Sequence, residues 1–267
     1  MTRRIAIALL VLPLTVAACG GGSKESANAK KLSPSAYVAF AGKKTAKTAS
    51  EHLELDGSTT AAGQAVTLKG AGDFDNSARI GTFHMDVNAA GLTTTIDELV
   101  SEFRVYVKSP LLTGSLPAGK TWILLDLRRA LAARGIDTST LAAQDPTKAL
   151  EQLQRLGTVT KVGTETIDGT STTHYVGHID PAKVPQGKKL QELANATYGP
   201  IDVWVGNDDL VRRLKLSFSV ASKGQTSKQN VTVTSTFSDF GKVVKANLPP
   251  AAKTFDATKT TLKGLGG

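Results

Sequence analysis

Residues 200–218 read PIDVWVGNDDLVRRLKLSF. Asp202, Trp204 and Val205 lead into a polar turn at Gly206-Asn207-Asp208, and Leu210-Val211-Arg212-Arg213 lead out of it. Beyond the turn, Leu214, Leu216 and Phe218 recur at every second position. A period of two puts these side chains on one face of a strand, so the stretch is a β-hairpin with one buried and one wet face. The large indole of Trp204 sets its register.

The same period extends outward in both directions. QNVTVTSTFSDF (229–240) adds a third strand with Val231, Val233 and Phe237 on one side. Upstream, HLELD (52–56) pairs Leu53 with Leu55, and AVTLKG (65–70) pairs Val66 with Leu68. ARIGTFHMDV (78–87) sets Phe83, Met85 and Val87 against His84 and Asp86. EFRVYVK (102–108) sets Phe103, Val105 and Val107 against Arg104, Tyr106 and Lys108. TVTKVGTETIDG and TSTTHYVGHID (158–180) form a further hairpin around Asp168-Gly169, a strong turn signal. The period changes in DLRRALAARG (126–135) and DPTKALEQLQRLG (145–157), whose three-and-four spacings end at Gly135 and Gly157 as helices do. Another helix is expected from Lys188. Ser33-Pro34 opens an N-terminal helix, with Tyr37, Phe40, Ala41 and Ala46 on its apolar side. With no dividing linker, these segments make one α+β domain, a large antiparallel sheet with helices on one face.

The chain starts with Arg3-Arg4 and a 14-residue, mostly apolar run, Ile5 to Ala18. That is shorter than the roughly 20 residues of a membrane-spanning helix, so residues 1–18 read as an export signal. The run closes on Val16-Ala17-Ala18-Cys19, which resembles a bacterial lipobox, and Cys19 is the only cysteine. The resemblance implies lipidation at Cys19, which would anchor the protein to the outer face of the plasma membrane. Residues 19–32 are then a flexible tether, 33–258 the folded domain and 259–267 a polar tail. The formal charge of +9 becomes +7 without Arg3 and Arg4. No basic block is dense enough for nucleic acid.

The chemistry-bearing motifs fail one by one. Gly114–Thr121, GSLPAGKT, has P-loop spacing, but a P-loop follows a buried strand directly and opens a helix. Here Ser109-Pro110 interrupt the approach, and Pro117-Ala118-Gly119 read as a turn into a strand starting at Trp122. His174 and His178 are four apart on a strand, where that separation is roughly 13 Å, too far for one zinc ion. No G-x-S-x-G elbow occurs. Asp97 and Glu98, being adjacent, face opposite ways on a strand and form no acid/base pair; both read as solvated. The expectation is a non-enzyme with neither cofactor nor metal.

DGTSTTHYVGHID (168–180), residues 200–218 and FSDFGKVVKANLPPA (237–251) together resemble the LppX/LprAFG-type actinobacterial lipoproteins. VYVKSPLL (105–112) and LPAGKTWILLDL (116–127) fit the same family. The resemblance implies a LolA-like fold: a strongly curved, incomplete antiparallel β-barrel with helices over its concave face. It also implies a cavity for the acyl chains of a lipid or lipoglycan, outward carriage of that lipid, and a membrane lipid exporter as partner of a monomeric carrier. The candidate lining is Leu53, Leu55, Val66, Leu68, Phe83, Met85, Val87, Phe103, Val105, Val107, Leu214, Leu216, Phe218, Val231, Val233 and Phe237. The same residues would equally make an ordinary filled core, and the alternative function is a non-carrier envelope lipoprotein serving as a protein-interaction scaffold.

Overall fold

Alternating segments become strands because a pleated chain presents successive side chains to opposite faces. The computed structural model describes residues 32–61, 64–133, 158–178, 196–220 and 229–258. Its strands are β1 (Ser50–Ala61), β2 (Gln64–Asp75), β3 (Ile80–Ala89), β4 (Leu92–Ser101), β5 (Arg104–Lys108) and β6 (Trp122–Asp126). Then follow β7 (Val159–Ile167), β8 (Thr170–Gly177), β9 (Ala196–Gly206), β10 (Val211–Val220), β11 (Gln229–Ser238) and β12 (Thr254–Asp256). All twelve form one sheet, ordered β12-β6-β5-β4-β3-β2-β1-β11-β10-β9-β8-β7. So many twisted strands curl rather than lie flat. With β12 and β7 left as edges, the result is the expected α+β class, a large curved sheet forming an incomplete barrel.

Every pairing is antiparallel except one. β12 runs parallel to β6, a correction to the wholly antiparallel expectation. Thr121 N–H donates to the Lys253 carbonyl at 2.9 Å and Ala257 N–H to that of Leu124 at 3.0 Å, which stitch the returning C-terminal segment to the edge. Asp168 (φ 46°) and Gly169 (φ 76°) make the expected turn between β7 and β8, both in the left-handed region that two-residue hairpins require.

β4 was not legible as an alternating strand. Leu99 faces away from Ile96 and Val100, yet all three are buried. Tyr106 on β5, expected on a wet face, is buried beside Leu99. The sheet is therefore apolar on both faces here, and burial on both faces erases the alternation.

Helix α1 (Pro34–Ala46) starts as expected, with the Ser33 hydroxyl accepting from Ala36 N–H at 3.4 Å and proline in its first turn. Of its expected apolar side, Ala41 and Ala46 are buried, Tyr37 packs against the core and Phe40 is half buried, and Val38, Gly42 and Thr45 complete the buried stripe. It packs across β7 to β10. Tyr37 Oη donates to Asp209 Oδ1 at 2.8 Å, Lys44 Nζ lies 3.2 Å from Asp209 Oδ2, and Val211 N–H donates to Thr45 Oγ1 at 2.8 Å.

The helix expected over 126–135 is shorter, α3 (Leu127–Ala132), after a four-residue turn of helix α2 (Pro110–Thr113). Asp126 ends β6 and caps α3, accepting from Arg129 N–H at 3.0 Å. The helices expected over 145–157 and from Lys188, the leader, nearly all of the tether and the tail lie outside the described residues. Gly114–Thr121 is a loop between α2 and β6. Gly119 turns at φ 79°, Lys120 N–H donates to the Pro117 carbonyl at 3.0 Å, and a strand follows where a P-loop needs a helix.

Candidate functional site: the apolar face of the sheet

The register collects side chains from distant parts of the chain into rows across one face. One row runs Val107, Glu98, Phe83, Gly72, Leu53 and Phe237, from β5 to β11. The next runs Ile96, Met85, Gly70, Leu55, Ser235, Leu214, Val203 and Tyr175. A third holds Val87, Leu68, Gly57, Val233, Leu216 and Ile201, and the last Ala89, Val66, Thr59, Val231, Phe218 and Tyr198. The strand alternation thus becomes one continuous apolar surface, and the candidate lining residues share it with a single exception.

That exception is Phe103. β5 begins at Arg104, so Phe103 sits in the preceding turn, where the Arg128 guanidinium covers its ring at 4.6 Å. Glu102 takes φ 52° to make this turn, which ends the alternation one residue earlier than the sequence suggests.

Burial grades along the face. At the end under α1, Val38, Leu53, Phe74, Phe83, Val105, Val107 and Phe237 belong to one buried cluster, and Val105 is 0% exposed. At the far end Val66, Phe218 and Val231 are only half buried, Tyr198 is 47% exposed and Leu92, in the β3–β4 turn, 78%. Val105 is thus a filled-core position, whereas Val66, Phe218 and Val231 belong to a surface that the described residues leave partly open. Glycines let the buried end close: a Cβ on Gly72 would meet Phe83 Cδ2 at 2.3 Å, and one on Gly81 would meet Phe74 Cδ1 at 2.1 Å. The two rings lie tilted with centroids 6.0 Å apart.

Sequence reasoning overlooked one polar member of this face. Asp97 and Glu98 do face opposite ways, but only Asp97 is solvated as expected. It meets His84 Nδ1 at 2.8 Å and Lys108 Nζ at 3.4 Å, and His84, with Lys108, holds its carboxyl below the usual range. Glu98 points into the apolar face and is 8% exposed. Burial alone pushes its pKa up to about 7. Only the unread strand β4 could have revealed it.

The opposite face is polar. His174 lies 3.0 Å from Glu165 Oε1 and 2.9 Å from Asp202 Oδ1, stacked on Trp204 at 4.2 Å between centroids. His174 and Trp204 are directly paired across β8 and β9, and Trp204 Nε1 donates to Glu165 at 3.0 Å. The indole thus ties β9 to β7 and β8, whereas within its own hairpin the register shifts between Val211 and Arg213, opposite Trp204. Glu54, Asp56, Lys69, His84, Asp86 and Arg213 line an open depression of about 690 Å³, charged in both signs and unsuited to an apolar chain. Among the described residues no group of three or more His, Cys, Asp or Glu side chains could hold a metal ion.

Fold and site define a class: an open, mostly antiparallel half-barrel with an apolar inner face and an outer face that is charged except around Leu99 and Tyr106. No family model matches the chain. Among solved structures it is similar to the Mycobacterium tuberculosis lipoprotein LppX, with 17% identity, 80% of this chain and 96% of that one covered, and a TM-score of 0.48. It is also similar to LprF from Mycobacterium bovis, with 18% identity, 86% and 99% coverage and a TM-score of 0.46. Both names fall within the family that the sequence resembles. Over 111 residues the chain is 32% identical to a Streptomyces coelicolor protein provisionally designated a lipoprotein, covering 42% of this chain and 32% of that protein. The chain spans about half or less of the length of the curated relatives it matches.

Proposed function

We propose that this protein is an exported envelope lipoprotein, anchored through Cys19, that holds lipid acyl chains against the inner face of its sheet and carries them outward. The observation behind this reading is the graded apolar face, closed beneath α1 and half open at the row of Val66, Val231 and Phe218. At about 3.4 Å per residue, the part outside the filled end, from Leu92 to Ile96, is roughly 14 Å. The acyl chains of one leaflet occupy about 15 Å, half of a hydrocarbon core of about 30 Å, which this part nearly matches. A chain leaving a bilayer loses about 0.8 kcal/mol per CH₂ in water, and only a continuous apolar wall offsets that. A membrane lipid exporter would be the matching donor or acceptor.

The test is lipid mass spectrometry on residues 33–267 purified from a lipid-containing host, with two substitutions. Val231→Trp, at the half-open end, should displace lipid and leave the melting temperature nearly unchanged. Val105→Trp, in the filled end, should cost about 1–3 kcal/mol or more by overpacking. Absence of lipid from the unsubstituted protein, with Val231→Trp as damaging as Val105→Trp, would make the face a filled core and leave the scaffold role in its place.

A further inference from the structure

Charge stops at a single row across the outer face. The row runs Thr95, Asp86, Lys69, Asp56, Thr234, Lys215 and Asp202, residue opposite residue from β4 to β9. Beyond it, toward the half-open end, residues 57–68 of the β1–β2 hairpin and 87–96 of the β3–β4 hairpin contain no charged side chain. Neither do residues 196–201 in β9, 216–220 in β10 and 229–234 in β11. Strands from distant parts of the chain thus share one boundary. The end beyond it also exposes large apolar groups. Leu92, beside Ala90 and Gly91 at the tip of β3–β4, is 78% exposed, and Tyr198 on β9 is 47% exposed. On the inner face the same end holds the half-buried Val66, Val231 and Phe218.

A sheet end that meets only water gains solubility from charge. Charged side chains are costly where a protein enters hydrocarbon, whereas tyrosine favours the level of the headgroups. We propose that this uncharged rim docks on the surface of an anionic phospholipid bilayer, with Leu92 as the side chain that enters it. The inference rests on the carrier reading above for its purpose, because acyl chains must pass between the inner face and a bilayer, and on the charge boundary for its place. From Asp86 to Ala89 and from Asp56 to Ala61 the neutral band is roughly 10–17 Å deep. Interfacial segments sink roughly 5–10 Å into the headgroup region, so the rim can enter before its charged row does. The links that leave this end, residues 178–195 and 221–228, carry five lysines and two acids. That outweighs the single excess acid in the row and favours an anionic surface. Fourteen residues separate Cys19 from Ser33. Their reach is at most about 50 Å, more than the roughly 40 Å of β1, so an anchor at Cys19 lets this end meet the membrane.

The experiment uses the chain from residue 19 with Cys19→Ser, which keeps every described residue and carries no acyl group, so that binding reads the fold. It is sedimented with vesicles of phosphatidylglycerol and of phosphatidylcholine. This parent should bind phosphatidylglycerol more tightly and lose binding as salt rises. Leu92→Asp should bind about tenfold more weakly with its melting temperature unchanged, because the side chain it replaces is exposed. Val243→Asp, 89% exposed at the opposite end of the sheet, where Gly241 N–H meets the Ser50 carbonyl, should bind as the parent does. Cys19 is the only cysteine, so Leu92→Cys gives the parent a single labelling site. An environment-sensitive dye there should shift to the blue on phosphatidylglycerol vesicles, and one placed through Val243→Cys should not. Equal binding by Leu92→Asp and parent, or a dye at position 92 that responds no more than one at 243, overturns the rim. So does a dimer that Leu92→Asp dissociates in a chain that ignores vesicles, since a second copy would then be the occupant. Lipid mass spectrometry on the same preparations separates the two readings. Bound lipid without docking leaves the carrier standing, and docking through Leu92 by a chain without lipid removes the carrier alone.

Discussion

Asp97 and Glu98 show at the residue scale how far one step along a strand separates two carboxyls. Asp97 faces a histidine and a lysine, which favour its charged form, and its pKa is lowered. Glu98 faces hydrocarbon, which disfavours the charged form, and its pKa rises from 4.5 to about 7. Between these two values the folded chain holds a proton at Glu98 that the unfolded chain has released. Stability must then fall as pH rises from about 4.5 to about 7 and level off above. The full shift corresponds to at most about 3 kcal/mol. Glu98→Gln should remove this decline, so the stability advantage of the variant over wild type should grow between pH 5 and pH 8 in urea melts. An advantage independent of pH would mean that Glu98 is hydrated in the fold. Nothing in the residue types alone separates Asp97 from Glu98; the direction each faces does.

At the scale of elements, α1 is held to the sheet by one buried acid in the β9–β10 turn. Asp209 is 1% exposed, accepts from Tyr37, pairs with Lys44, and sits at φ 61°. Burial and the bond to Asp209 together raise the Tyr37 pKa, so the phenol is a firm donor at any ordinary pH. Asp209→Ala removes both partners and puts a Cβ without a compensating side chain in the left-handed region. It should cost about 3 kcal/mol in urea denaturation and open α1 to proteolysis. Tyr37→Phe should cost about 1 kcal/mol, since Lys44 still meets the carboxylate. A loss under about 0.5 kcal/mol for Asp209→Ala would mean that apolar packing of Val38 and Ala41 alone holds the helix. Sequence showed this helix, its cap and part of its buried side, since Ala41 and Ala46 are buried and Tyr37 packs on the core. It missed Val38, Gly42 and Thr45, small side chains that let the helix approach the sheet closely.

On the scale of the whole molecule, a half-barrel with the proposed lipid-binding face would have to work beside a membrane, and the proposed anchor would keep it there. Cys19→Ala should abolish incorporation of a palmitate analogue and release the protein from the membrane fraction. Continued labelling of the variant would remove the lipobox reading while leaving the inner face untouched. An open sheet also has two edges to protect. The edge at β12 is a strand of only three residues, preceded by Pro249 and Pro250, and the β7 edge is kinked by an irregularity in register between Lys161 and Gly163.

What the sequence determined by itself was everything carried by local alternation and turn chemistry. The hairpins at Asp168-Gly169 and after Gly206, the shared face of Leu53 through Phe237, and the failure of GSLPAGKT as a phosphate loop all follow from spacing within a few residues. Tertiary structure decided the rest. It chose β4, buried on both sides and therefore without alternation, and the parallel return of β12. It divided the aliphatic face into a filled end at Val105 and a half-open end at Val231, though both are valines in equivalent patterns. It also turned Glu98 inward. The physical reason is common to all four: a period of two says which side chains share a face, but only the neighbours across the sheet determine whether that face is packed, open or wet.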